Sequence, residues 1–145
     1  MSVTTAMCTS FKKELLEKVH DLSSDTLKIA LIKASPSGTY GAATVNYSDV
    51  TGNSDEASGT GYSAGGQNLG SATIAIASNV AHVDFPDEVF SDVTLSASGC
   101  IIYNSSASNK AIATISFGGT VSATAGDLTI EFPAANASNA IIRIA

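Results

Sequence analysis

Tryptophan is missing from this chain, and charge is scarce: Lys and Arg number 7, Asp and Glu 13, together 14% of the 145 residues. About a quarter is usual for a globular domain, so the surface is weakly charged and suits an assembly better than free solution. A net charge of −6 argues against nucleic acid as a partner, because binding there needs dense Lys and Arg to displace counterions. It also fits an anionic membrane poorly. No apolar run approaches the roughly 20 residues of a spanning helix, and residues 1–10 show neither the basic start nor the apolar core of a secretory signal. Neither nucleic acid nor a membrane is therefore expected as a partner. The only cysteines, Cys8 and Cys100, have no framework or zinc spacing. Two free thiols are expected.

Constellations that carry chemistry are equally sparse. His20 and His82 lack a plausible third ligand. No serine stands in a G-x-S-x-G elbow. The run GTGYSAGG at residues 59–66 has no Lys-Ser/Thr at its end and no strand–helix context, so it is a turn-forming loop and not a phosphate cradle. Asp49, Thr51, Asn53 and Asp55 alternate as in a calcium loop, but Ser54 occupies the glycine position and no glutamate closes the loop. Asp84, Asp87, Glu88 and Asp92 surround a strand break. A charged edge that blocks strand pairing accounts for them better than a glycoside-cleaving pair. Tyr40, Tyr47, Tyr62 and Tyr103 are scattered and form no evident sugar platform. No catalytic residue, metal or cofactor is expected, and the chain does not read as an enzyme.

What is present is one helix and many short strands. Phe11, Leu15, Val19 and Leu22 form an apolar stripe, widened by Leu16, that predicts an amphipathic helix over residues 10–22. Thr9 or Ser10 is placed to cap it. At about three turns it needs a surface to lie on. Residues 26–33 supply the first strand. Residues 34–70 are loop-rich, with a short strand expected at 40–47 and an exposed acidic stretch at 49–58. Tyr62 is the one large group of the loop at 58–70 and is expected to pin it to the core. Alternation then predicts a hairpin at 71–78 and 80–85 turning at Asn79, and strands at 92–96, 99–104, 110–117, 127–132 and 139–145. Residues 104–109 and 118–126 read as loops. About eight strands with turns every 8–12 residues point to an all-β fold, an antiparallel β-sandwich of jelly-roll type, with one short N-terminal amphipathic helix. Residues 1–9 read as an N-terminal arm and 10–145 as a single domain.

Three blocks carry a resemblance: FKKELLEKVHDLSSDTLKIALIKAS at 11–35, SGTGYSAGGQNL at 58–69 and GCIIYNSSASNKAIATISFGG at 99–119. The ending EFPAANASNAIIRIA at 131–145 agrees with them. With these blocks the chain resembles a family of small structural proteins of tailed-bacteriophage virions. The resemblance implies a β-rich protein in many copies on the particle, a head decoration or cement protein made in the host cytoplasm. It would contact the major capsid protein, and its own copies as a homotrimer. Val3, Thr4 and Thr5 of the arm, Phe11 and Leu15 of the helix, and Tyr62 are the contact candidates. The alternative is a tail or head-fibre module that binds a host-surface glycan or receptor. An exposed cluster of Tyr40, Tyr47 and Tyr62 would favour it.

Overall fold

The computed structural model describes residues 2–145. In chain order the elements are β1 (Ser2–Val3), β2 (Ala6–Met7), α1 (Thr9–Leu16), β3 (Leu27–Lys33), β4 (Thr39–Tyr40), α2 (Ser48–Gly52), β5 (Gln67–Asn68), β6 (Thr73–Ala77), β7 (Val80–Asp84), β8 (Glu88–Asn104), a 3-10 turn (Ser105–Ala107), β9 (Lys110–Ile130) and β10 (Ile142–Ile144). The fold is all-β and mainly antiparallel. A five-stranded sheet runs β2-β9-β8-β3-β5, a three-stranded sheet β10-β7-β6, and β1 pairs in parallel with β4. One apolar core joins them, from Ile29, Leu31, Ile101 and Ile112 of the large sheet to Val83 and Ile142 of the small one.

The large sheet is centred on one long hairpin. β8 has 17 residues and β9 has 21. Sequence alternation divides each into two strands, and the loop expected at 118–126 is in fact strand. Bulges explain the difference. Register shifts interrupt the β8–β9 ladder between Phe90 and Val93, Val93 and Leu95, and Ala97 and Gly99. The first two add one residue each and the third adds three on β9, and an odd insertion reverses the inward–outward alternation without ending the pairing. Asp92 and Ala125 accordingly adopt positive φ. Small residues keep the hairpin closed there, with the Ser96 and Ser122 hydroxyls 2.7 Å apart.

The helix is shorter than expected. It begins after Cys8, with no side-chain cap from Thr9 or Ser10, and Glu17 is its C-cap. Lys18 then turns left-handed at φ 61. The reason lies in Glu14, which is buried. Its carboxylate meets Lys110 Nζ at 3.2 Å and His20 Nε2 at 3.4 Å. The chain folds back after Leu16 to bring His20 beneath the helix, where its ring lies 5.0 Å from that of Phe11. Leu16 is thereby left outside the core instead of widening the buried stripe.

The strand expected at 40–47 is only the two residues of β4, followed by a turn and α2. Asn46 and Asp49 cause this: Asp49 Oδ2 accepts the Val45 and Asn46 amides and Asn46 Oδ1 accepts the Ser48 amide, offering the backbone an alternative to a ladder. The last strand is likewise reduced to β10, which pairs with β7. The 71–85 hairpin forms as expected, with β6 and β7 in unbroken register from Thr73↔Asp84 to Ala77↔Val80.

Candidate interaction surface

Of the contact candidates read from the sequence, Val3 and Phe11 are buried, Leu15 and Tyr62 are half-buried, and Thr4 and Thr5 are exposed. The arm is built into the sheets: Val3 is buried opposite Tyr40. The Thr4 carbonyl accepts the Thr114 hydroxyl at 2.7 Å and Thr5 Oγ1 accepts the Ser116 amide at 2.9 Å. Residue 1 of that arm lies outside the described residues. Phe11 is fully buried. Leu15 is half-buried and opens onto a groove shared with Met7, Lys12, Leu16, Arg143 and Ile144.

Tyr62 is half-buried, its ring 5.7 Å from Phe90. Its hydroxyl donates to Glu56 Oε1 at 2.8 Å and accepts the Leu31 amide at 2.9 Å. Glu56 also takes the Tyr47 hydroxyl at 2.5 Å and the Gly65 amide at 2.7 Å. Tyr47 stacks on Tyr103 with ring centroids 4.5 Å apart, and Tyr103 donates to the Gly65 carbonyl. Burial and the neighbouring Glu56 carboxylate push both Tyr62 and Tyr47 well above the usual phenol range. Gly66 follows in a left-handed turn, where a Cβ would overlap the Ile29 carbonyl.

Asp55 performs the same task next door. The stretch at 49–58 is not simply exposed, since Val50, Asp55 and Ala57 are buried. Asp55 accepts the Ser37 and Gly38 amides at 2.9 and 2.8 Å, the Tyr40 hydroxyl at 2.5 Å and Lys33 Nζ at 3.0 Å. Burial alone would raise its pKa. The hydrogen bonds from Tyr40, Ser37 and Gly38 and the Lys33 charge outweigh burial and hold the carboxyl well below its usual range. Burial, then the Asp55 carboxylate, pushes Tyr40 up to about 12. Tyr40, Tyr47 and Tyr62 are thus spent on two carboxylates and one loop.

Two acids of the strand break are also occupied locally. Glu88 is buried and accepts Gln67 Nε2 and the Gly70 amide. Asp87 accepts the Phe132 amide, and the Asp92 amide donates to Asp127. His82 is buried in β7. Among the described residues no group of three or more His, Cys, Asp or Glu is placed to hold a metal ion. Cys8 and Cys100 are free and buried. Burial first, then the Asp49 and Glu14 charges, raises the Cys8 thiol to about 12, which makes it a poor nucleophile.

The surface has one unusual feature, which sequence reasoning missed. Large apolar side chains stand uncovered at Leu16 (91% exposed), Ile76 (80%), Ile144 (53%) and Ile74 (51%). Register links three of them: Ile76 and Ile144 both oppose Ala81, while Ile74 and Ile142 both oppose Val83. Paired residues share a face, so one face of the small sheet is apolar from β6 to β10, and Ile144 meets Leu16 across the groove. Val83 and Ile142 at its centre are buried against the core; the isoleucines of β6 overhang it. The available signal was the absence of any Asp, Glu, Lys or Arg from residues 66–83. Single exposed apolar residues are ordinary, but a contiguous band marks a contact site.

Comparison with protein-family models, curated proteins and solved structures gives no match to this chain.

Proposed function

We propose that this protein is a structural component of a bacteriophage virion, a decoration or cement protein that binds the outer capsid surface and stabilises the lattice. The observation that carries the reading is the apolar band from Leu16 through Ile144 to Ile76 on a sheet domain whose buried carboxylates Glu14, Asp55 and Glu88 are held by internal partners. The sequence blocks at 11–35, 58–69 and 99–119, which resemble small virion proteins, supply the context. The partners are the major capsid protein and further copies of the chain, a homotrimer in the simplest arrangement, and the location is the capsid surface. The work is done by buried area between neighbouring capsomers. A contact of standard size buries roughly 1,600 Å², and repetition around the shell raises the effective affinity.

The glycan-binding alternative would be favoured by an exposed cluster of Tyr40, Tyr47 and Tyr62. Tyr40 is buried and the hydroxyls of all three are bonded to Asp55 or Glu56, so no observation favours it. The test is co-sedimentation of the purified chain with capsids stripped of it. Saturable binding with a fixed ratio to the major capsid protein supports the proposal. Absence of binding to heads, with binding to tails or host cells, overturns it.

A further inference from the structure

We propose that β6 is the edge along which two copies of this chain pair, strand to antiparallel strand, about a two-fold axis at Ala75. An outer strand presents a row of backbone N–H and C=O groups, and proteins guard such rows with charge, proline, bulges or shortness. The other outer edges here are guarded. β2 and β5 have two residues each. The outer half of the β8–β9 hairpin is broken by bulges. β10 has three residues and carries Arg143. β6 has none of these devices: five residues, TIAIA, in unbroken register with β7, with Ile74 and Ile76 exposed.

Charge identifies the occupant. Two copies each carrying −6 repel one another over most of their surface. Residues 66–83 contain no Asp, Glu, Lys or Arg, so this edge lets two copies approach without opposing like charges. The strand is also complementary to itself. With Ala75 opposite Ala75, Ile74 of each copy faces Ile76 of the other, on the face already shared with Ala81, Val83, Ile142 and Ile144. The two small sheets become one six-stranded sheet, and its outer strands are then β10 and β10, whose Arg143 stops further addition. A two-fold contact of this kind closes and does not grow into a fibre.

The paired edge is shorter than the about 800 Å² per partner of a standard interface, so association is weak and reversible in free solution. On a particle, anchoring at neighbouring positions raises the effective concentration. The inference rests on the proposed function for its setting and adds a two-fold contact between copies to the homotrimer proposed there, but its test uses the free protein and does not depend on capsids.

Facing Cα atoms in an antiparallel pair are about 4.5–5.5 Å apart, within the range of a disulfide. Under mild oxidation Ala75→Cys is expected to give a covalent dimer on non-reducing gels. Thr73→Cys, which would face Ala77 and not itself, is expected to give none. In sedimentation velocity the unsubstituted protein is expected to show concentration-dependent dimerisation that Ile76→Lys abolishes. An unchanged thermal melt for Ile76→Lys verifies that the fold is kept. A monomer at all concentrations up to about 0.5 mM, crosslinking of Thr73→Cys in place of Ala75→Cys, or a dimer lost with Leu16→Lys but kept with Ile76→Lys would each overturn the proposal.

Discussion

Two neighbouring stretches order themselves by opposite means. Residues 34–70 hold little regular structure, yet Asp55 and Glu56 collect their turns, and the tyrosines, onto two adjacent carboxylates. Residues 71–85 form a regular hairpin with every ladder position filled, yet leave Ile74 and Ile76 in solvent. The irregular stretch is finished within the chain, because buried polar groups must be satisfied there. The regular one is not, because a ladder satisfies only one side of its outer strand. Regularity and burial are separate properties, and contact sites are found where they part.

The comparison breaks most sharply at Asp55. Asp55→Ala strands the Ser37 and Gly38 amides and the Tyr40 hydroxyl without an acceptor, and we expect a loss of about 4 kcal/mol in denaturant unfolding. Gly66→Ala forces a side chain into the Ile29 carbonyl at φ +73, with an expected loss of about 3 kcal/mol on the same assay. Tyr62→Phe removes the donor to Glu56 and the acceptor for the Leu31 amide, and should cost about 1.5 kcal/mol.

Acid sharpens the contrast. The folded pKa of Asp55 lies below its ordinary value of 3.8, so its contribution is fully present above that value and is lost as pH falls toward the folded pKa. Asp55→Asn should flatten the acid limb of the stability profile, while Ile76→Thr leaves that limb unchanged. The smallest effect belongs to the hairpin: Ile76→Thr should alter unfolding free energy by no more than about 0.5 kcal/mol, because the side chain is exposed in the single copy.

Much of this was legible in the sequence. Alternation located β3, β6 and β7, and the apolar run at 99–104 marked the end of β8 that lies between β3 and β9. Tyr62 was correctly expected to pin its loop. Three things were hidden. Bulges reverse alternation, so β8 and β9 read as four strands. Burial of Glu14 depends on His20 and Lys110, one in the turn-back and the other in β9, and a helical stripe cannot announce such a partner. That Asp55 and Glu56 are anchors and not solvated acids depends on contacts 6–22 residues away along the chain. The arm was hidden for a related reason: a stretch of small uncharged residues reads as free, whereas β1 and β2 find partners in β4 and β9.

The proposed virion role is tested most directly by cryo-electron microscopy of the particle that carries this chain. The account predicts density fitting the β-domain at symmetry-related positions over the outer capsid, with the face bearing Leu16, Ile144 and Ile76 turned toward protein. Density confined to the tail or to isolated fibres, or a capsid-bound domain with that face turned to solvent, would contradict it.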